Sequence, residues 1–132
     1  MRKINNSDFI NIMNERGFIH QITDKENLQK EMITSSVVGY IGFDCTAPSL
    51  HVGSLIQIMM LRWFQKTGNK PIVLMGGGTT KVGDPSFRSK ERPILSDHEI
   101  QENMDSLKSI FTKYLDYDCS ENSAIMINNA EW

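Results

Sequence analysis

The apolar residues between positions 36 and 76 change period twice, and few folds accept that change. The stretch SVVGYIGFD is rich in β-branched and aromatic residues and bounded by turn formers, which predicts a buried parallel strand. From Leu50 the period becomes helical. Val52, Leu55, Ile56, Met59, Met60, Trp63 and Phe64 recur at i, i+3, i+4, i+7, i+8, i+11 and i+12, one face of a helix that opens at His51. Ile58 and Leu61 add apolar surface beyond that stripe, so the helix is expected to be buried on more than one side. Gly68 ends it, and Asn69-Lys70-Pro71 leads into IVLMG, a second buried strand that stops in Gly76-Gly77-Gly78. Strand, helix, strand is a βαβ unit, which requires a parallel sheet with a right-handed crossover.

The flanks extend this unit. Ser7 is placed to cap a short helix carrying Phe9, Ile10, Ile12 and Met13, with Gly17 at its end. Thr23 or Asp24 starts a second, highly charged helix through KENLQKEM. After IVLMG, the stretch GGGTTKVGDPSFRSKERPILSD reads as one long loop, and loops of that length in compact domains are usually functional. Asp97 is the expected cap of a helix with Ile100, Met104, Leu107, Ile110 and Phe111 on its apolar face. Ala124 to Ile127 reads as a third strand and Asn128 to Trp132 as the loop after it. The expected fold is α/β: the first half of a Rossmann-like doubly wound parallel sheet with flanking helices, preceded by short N-terminal helices. Residues 1–34 form the expected helical segment and 35–132 the partial Rossmann-like domain.

Composition narrows the function classes. With 132 residues, one domain is the default. A formal net charge of -2 gives no electrostatic reason to invoke nucleic acid, without excluding RNA. Cys45 and Cys119 lack CxxC spacing and a histidine cluster, so neither zinc nor a disulfide scaffold is supported, and two thiols in a reducing compartment is the simpler reading. No apolar run approaches the roughly 18 residues of a membrane helix, and the N-terminus lacks a signal-peptide core. The expected location is the cytoplasm, with no membrane partner.

In an open parallel sheet, ligands bind beyond the carboxyl ends of the strands, where both unusual loops are expected. In DCTAPSLHVGS, His51 and Ser54 are spaced i, i+3 at the helix opening. Gly53 lets a ligand approach the backbone, and a helix N-terminus adds N–H donors and partial positive charge. This suits a nucleoside triphosphate, although an HxGS match alone is more often an ordinary helix start. In the second loop Gly83 and Pro85 shape a turn that presents Asp84, which can hold an ammonium group. Arg88, Lys90 and Arg92 can hold phosphates or form a solvated charge run. Tyr40, Gly42 and Asp44 fall on one side of the first strand. Gly42 leaves room there; taken alone, Tyr40 would be an ordinary core tyrosine.

YIGFDCTAPSLHVGS, VLMGGGTTKVGDPSFRSKER and INNAEW, in this order, resemble the N-terminal part of bacterial-type tyrosyl-tRNA synthetases, which are class I aminoacyl-tRNA synthetases. The resemblance implies activation of L-tyrosine by ATP with Mg2+, transfer to tRNA(Tyr), and a homodimer in the full-length family, with no protein-bound metal. It implies that Tyr40 donates to the substrate phenol and Asp84 accepts from its ammonium, while Gly42 and Asp44 line the amino-acid and adenylate crevice. Thr46 and His51 would hydrogen-bond the outer phosphate, with Ser54 beside them, and Gly53 would lie against the nucleoside. Arg88 and Arg92 would reach over the leaving pyrophosphate.

The sequence departs from the family pattern at three of these places. Ser54 stands where the H-I-G-H motif has a second histidine, Arg88 where lysine is more frequent, and Cys45 where D-P-T-A has proline, a change expected to loosen that turn. The family's K-M-S-K-S loop, its acid partner for the phenol and its anticodon-reading part all lie beyond residue 132, so this chain is expected to be a fragment that does not complete the reaction. It is also expected to expose one sheet edge and apolar helix faces, which favours association. The rival readings are a tryptophanyl-type or other class I nucleotidyl transferase and a non-catalytic module that binds a nucleotide or partner.

Overall fold

A computed structural model describes residues 4–82, 94–118 and 121–132. In chain order the helices are α1 (Asp8–Glu15), α2 (Lys25–Thr34), α3 (Ser54–Lys66), α4 (Gly77–Val82) and α5 (Asp97–Phe111). The strands are β1 (Val38–Phe43), β2 (Lys70–Met75) and β3 (Ile125–Asn128), followed by a 3-10 turn at Asn129–Glu131. The sheet is parallel in the order β1-β2-β3, with Tyr40 opposite Ile72 and Ile72 opposite Ile125. This is the expected α/β architecture.

The strand order explains which face is covered. Both crossovers step the same way across the sheet, so crossovers of one hand place their helices on one side. Accordingly α3 and α5 share a face, where Phe43, Val73 and Met75 of the sheet meet Ile58 and Leu61 of α3 and Ile100, Leu107 and Phe111 of α5. Phe43 and Phe111 pack edge to face with centroids 4.8 Å apart. Each such side chain removed from water contributes about 1.5–3 kcal/mol. On the opposite face Val38, Tyr40 and Ile125 are exposed, so β1 is not the strand buried on both sides that its composition predicts. A fully apolar run is what a strand covered on both faces needs, and among the described residues only one face has its helices.

Helix α3 also corrects the apolar stripe. Its buried residues are Ile58, Leu61 and Phe64, whereas Val52, Leu55 and Ile56 of the expected stripe are exposed. Helices α1 and α2 pack near its C-terminal end, where Ile10, Met32 and Phe64 form a second cluster. Gly39 permits this approach, since a Cβ there would lie 3.0 Å from the Phe64 ring. The turn after α3 passes through Gly68 at φ +92° and is held by the fully buried Asn69. The Asn69 side chain accepts from the Val37 N–H (3.0 Å) and donates to Thr67 Oγ1 (3.1 Å), which ties the end of α3 to the start of β1.

Two further corrections concern helix ends. GGGTTKV does not begin a loop: its last six residues form α4, held by tertiary packing despite the glycines. Ser96, not Asp97, caps α5, in a full capping box: Ser96 Oγ accepts from the Glu99 N–H (3.3 Å) and Glu99 Oε2 accepts from the Ser96 N–H (2.8 Å). Among the described residues no helix is long and apolar enough to cross a membrane.

Candidate functional site

Parallel strands put all three carboxyl ends at one edge of the sheet, and the chain segments leaving them are bonded to one another. The Gly76 N–H donates to the Phe43 carbonyl (2.8 Å), which joins the end of β2 to the end of β1. Gly78 N–H donates to Asn129 Oδ1 (2.8 Å), which joins α4 to the turn after β3. Gly77 is required at this junction because a Cβ would run into the Asn128 carboxamide. The segments that leave β1 and β2, and those of α4 and the turn after β3, are thus joined by hydrogen bonds at this edge.

Beyond β1, a cavity of about 310 Å³ is lined by Gly42, Asp44, Thr46, His51, Ser54 and Gln57, together with Phe43, Ala47, Ser49 and Leu50. Five of the residues selected from the sequence thus share one hollow. Tyr40 is not in its lining. It lies two residues earlier on the same open face of the sheet as Gly42 and is 69% exposed. Asp84, Arg88 and Arg92 lie outside the described residues. Gln57 was not singled out from the sequence; its spacing of three from Ser54 on a helix is the signal that finds it.

The turn before α3 is organised by His51. Its carbonyl accepts from the Ser54 N–H (2.9 Å) and its Nδ1 accepts from the Gly53 N–H (3.1 Å). With Nδ1 accepting, the neutral ring carries its proton on Nε2, a donor available to the exposed side. His51 itself precedes the helix, which starts at Ser54, so the two side chains converge through a turn and not along a helical face. The Leu55 N–H donates to the Val52 carbonyl (3.0 Å). The expected unpaired N–H donors at this terminus are thus already used at residues 53, 54 and 55. The lining side chains that can donate hydrogen bonds into the cavity are Thr46, Ser49, His51, Ser54 and Gln57.

Cys45, between two lining residues, is fully buried and tied at both peptide groups. Its N–H donates to Thr80 Oγ1 (3.3 Å), and its carbonyl accepts from Asn103 Nδ2 (2.9 Å). The cysteine thus holds this turn by a hydrogen bond that a proline at position 45 could not make. Burial pushes the thiol up to about 11, with Asp44 adding to the rise and a hydrogen bond with the Gly76 backbone opposing it.

Two of the larger cavities, about 730 and 470 Å³, lie around Gln65 and Lys66 at the other end of α3. Their polar groups hold the chain together: Arg62 Nη1 donates to the Tyr114 carbonyl (2.7 Å) and Gln65 Nε2 to the Asp116 carbonyl (2.6 Å). Size alone does not make either of them a site. Among the described residues no group of three His, Cys, Asp or Glu side chains could hold a metal ion.

A three-stranded parallel sheet with a polar cavity at its carboxyl edge defines a Rossmann-like α/β domain. The family profile for tRNA synthetases class I (W and Y) matches residues 31–132, and the chain belongs to that family. It is 60% identical over 126 residues to the tyrosine--tRNA ligase of Paracoccus denitrificans, covering 96% of this chain and 30% of that protein. With the tyrosine--tRNA ligase of Ruegeria pomeroyi it shares 60% identity over 127 residues, covering 96% and 31%. The structure of a C-terminally truncated Aspergillus nidulans mitochondrial tyrosyl-tRNA synthetase superposes with a TM-score of 0.79 at 32% identity, over 94% of this chain and 38% of that one. The chain thus spans about 30% of the length of the relatives it matches.

Proposed function

We propose that this chain supplies the ATP and tyrosine subsites at the start of a tyrosine-activating tRNA synthetase. The observation that carries the reading is the shared cavity of Gly42, Asp44, Thr46, His51 and Ser54, in a chain 60% identical to proteins named tyrosine--tRNA ligase. In the reaction, a carboxylate oxygen of tyrosine attacks the α-phosphorus of ATP. The bond to the bridging oxygen breaks, pyrophosphate leaves with that electron pair, and tyrosyl-adenylate remains. Transfer to tRNA(Tyr) follows.

None of the protein groups is a nucleophile in this scheme, so their contribution is position and charge stabilisation. His51 Nε2–H and the Thr46 hydroxyl donate to phosphate oxygens, and Ser54 adds a third donor without a charge. Gly53 lies against the nucleoside, and Gly42 and Asp44 border the amino acid and adenylate. Tyr40 meets the substrate phenol, Asp84 its ammonium, and Arg88 and Arg92 the pyrophosphate. ATP enters with Mg2+ as a substrate complex. The same reading brings a homodimeric, cytoplasmic enzyme with it, and divides the chain into a helical segment (1–34) and a Rossmann-like part (35–132).

The test is ATP–pyrophosphate exchange on the complete gene product, with tyrosine, tryptophan and phenylalanine in parallel. Tyrosine-dependent exchange is expected. Exchange driven by tryptophan would replace the substrate assignment, and exchange with none of the three would leave a non-catalytic binding module. The 132-residue chain assayed alone is expected to show no turnover at the level of the complete product.

A further inference from the structure

The peptide groups of Cys45 are held from two different helices. On one side its N–H reaches Thr80 Oγ1 of α4 at 3.3 Å; on the other its carbonyl receives Asn103 Nδ2 of α5 at 2.9 Å. Thr80 is a buried polar residue, only 4% exposed, and no part of Cys45 is exposed. Asp44 and Thr46, the flanking residues, both line the cavity, whereas neither Thr80 nor Asn103 does. A buried hydroxyl and a carboxamide are thus committed to the two peptide units on either side of Cys45, between two site residues.

We propose that Thr80 and Asn103 are positioning residues that aim Asp44 and Thr46 into the cavity by clamping Cys45. The inference rests on the proposed tyrosine-activating reaction for its catalytic consequence, but not for the clamp itself. Fixing both peptide groups of residue 45 sets the direction in which residues 44 and 46 leave it. Those two directions decide whether the Asp44 carboxylate and the Thr46 hydroxyl face the same hollow as His51. A donor that must meet charge developing in a transition state gains from being fixed beforehand, because no reorganisation is then needed during the reaction. The device also accounts for a non-proline residue at position 45, since only a residue with an N–H completes it.

The experiment uses the complete gene product with Thr80→Val, Thr80→Ser and Asn103→Leu. Single-turnover kinetics of adenylate formation separate the rate constant of active molecules from the amplitude, which counts them. Thr80→Val and Asn103→Leu are expected to lower the rate constant about five- to tenfold, in the upper part of the range for one neutral hydrogen bond, at unchanged amplitude. Thr80→Ser, which keeps the acceptor, is expected to restore the rate to within about twofold. Hydrogen-exchange mass spectrometry supplies the second arm: in Thr80→Val, exchange should rise in the peptide containing Cys45 and stay unchanged in β2. A loss confined to amplitude marks a merely structural role and overturns the proposal, as does an unchanged rate constant. If the unmutated protein shows no tyrosine-dependent reaction, the functional reading fails. The hydrogen-exchange arm then decides the clamp alone: faster exchange at Cys45 supports it and unchanged exchange overturns it.

Discussion

The Gly53 N–H donates to His51 Nδ1 at 3.1 Å, and a Cβ on residue 53 would lie 3.3 Å from the same nitrogen. One residue thus fixes the imidazole twice, by a hydrogen bond that selects the Nε2–H tautomer and by leaving the space the ring occupies. The glycine of the HVGS stretch therefore serves the histidine beside it as well as any ligand that approaches the backbone.

Gly53→Ala is expected to separate stability from activity. Gly53 has φ -59° and ψ -29°, which alanine adopts without strain, and it sits at the helix entrance. The substitution lowers the entropy of the unfolded chain, so stability should hold or rise by about 0.4–1 kcal/mol. The new methyl pushes the imidazole by a few tenths of an ångström, so adenylate formation should slow by about tenfold. Thermal denaturation and single-turnover kinetics on the same preparation check both signs.

Cys45 is expected to be inert in the folded protein. Burial raises its thiol from 9.0 to about 11, so almost no thiolate is present near neutral pH. In a Cys119→Ser background, iodoacetamide should label Cys45 only at the rate of opening. The same shift fixes a pH dependence. The folded value lies above the unfolded one, so its contribution is fully present below pH 9 and is lost as pH rises through about 11. Cys45→Ala should flatten that alkaline limb of the stability profile.

The part of this site that was legible in the sequence is the part set by local periodicity. Alternation along β1 places Tyr40, Gly42 and Asp44 on one side, and that is the open face of the sheet. The βαβ order puts DCTAPSLHVGS at a strand end, where the cavity lies. Tertiary choices were not legible. Apolar residues surround α3 on most sides, so spacing alone could not show that Ile58, Leu61 and Phe64 face the core while Leu55 and Ile56 are exposed. Glycine disfavours helices, so α4 is not visible in local sequence: it is held by the Gly78 N–H donating to Asn129 Oδ1, some 50 residues away. The capping box is written in the sequence as Ser96-Asp97-His98-Glu99, but Asp97 is itself a favoured capping residue and competes with Ser96 for the role.

That box carries a titration with a definite sign. Hydrogen bonds from the Ser96 hydroxyl (2.7 Å) and N–H (2.8 Å) hold the Glu99 carboxyl below its ordinary value of 4.5. A group whose folded pKa is depressed stabilises above its unfolded value and loses that contribution as pH falls through the folded one. Stability should therefore decline on acidification below about pH 4.5, partly through this helix end. Glu99→Gln keeps the geometry but cannot titrate, so its melting temperature should fall less steeply between pH 5 and pH 3 than that of the unmutated protein.

Asn69 offers a stability test at a residue remote from the cavity. It is fully buried, accepts from the Val37 N–H, donates to Thr67 Oγ1, and lends its carbonyl to Asn122 Nδ2 at 3.2 Å. Asn69→Ala removes the side-chain bonds but keeps the carbonyl, leaving the part-buried Val37 N–H without its partner. A fully buried unmet donor costs about 1–3 kcal/mol, and the partial exposure of this one places it toward the lower end. Asn69→Asp retains the acceptor for Val37 but removes the donor to Thr67 and adds a charge that burial opposes. Both variants should lower the urea midpoint, and Asn69→Asp should recover part of its loss at acidic pH, where the carboxyl is neutral and can again donate to Thr67. Equal midpoints for Asn69→Ala and the unmutated protein would show that the turn between α3 and β2 does not depend on this side chain.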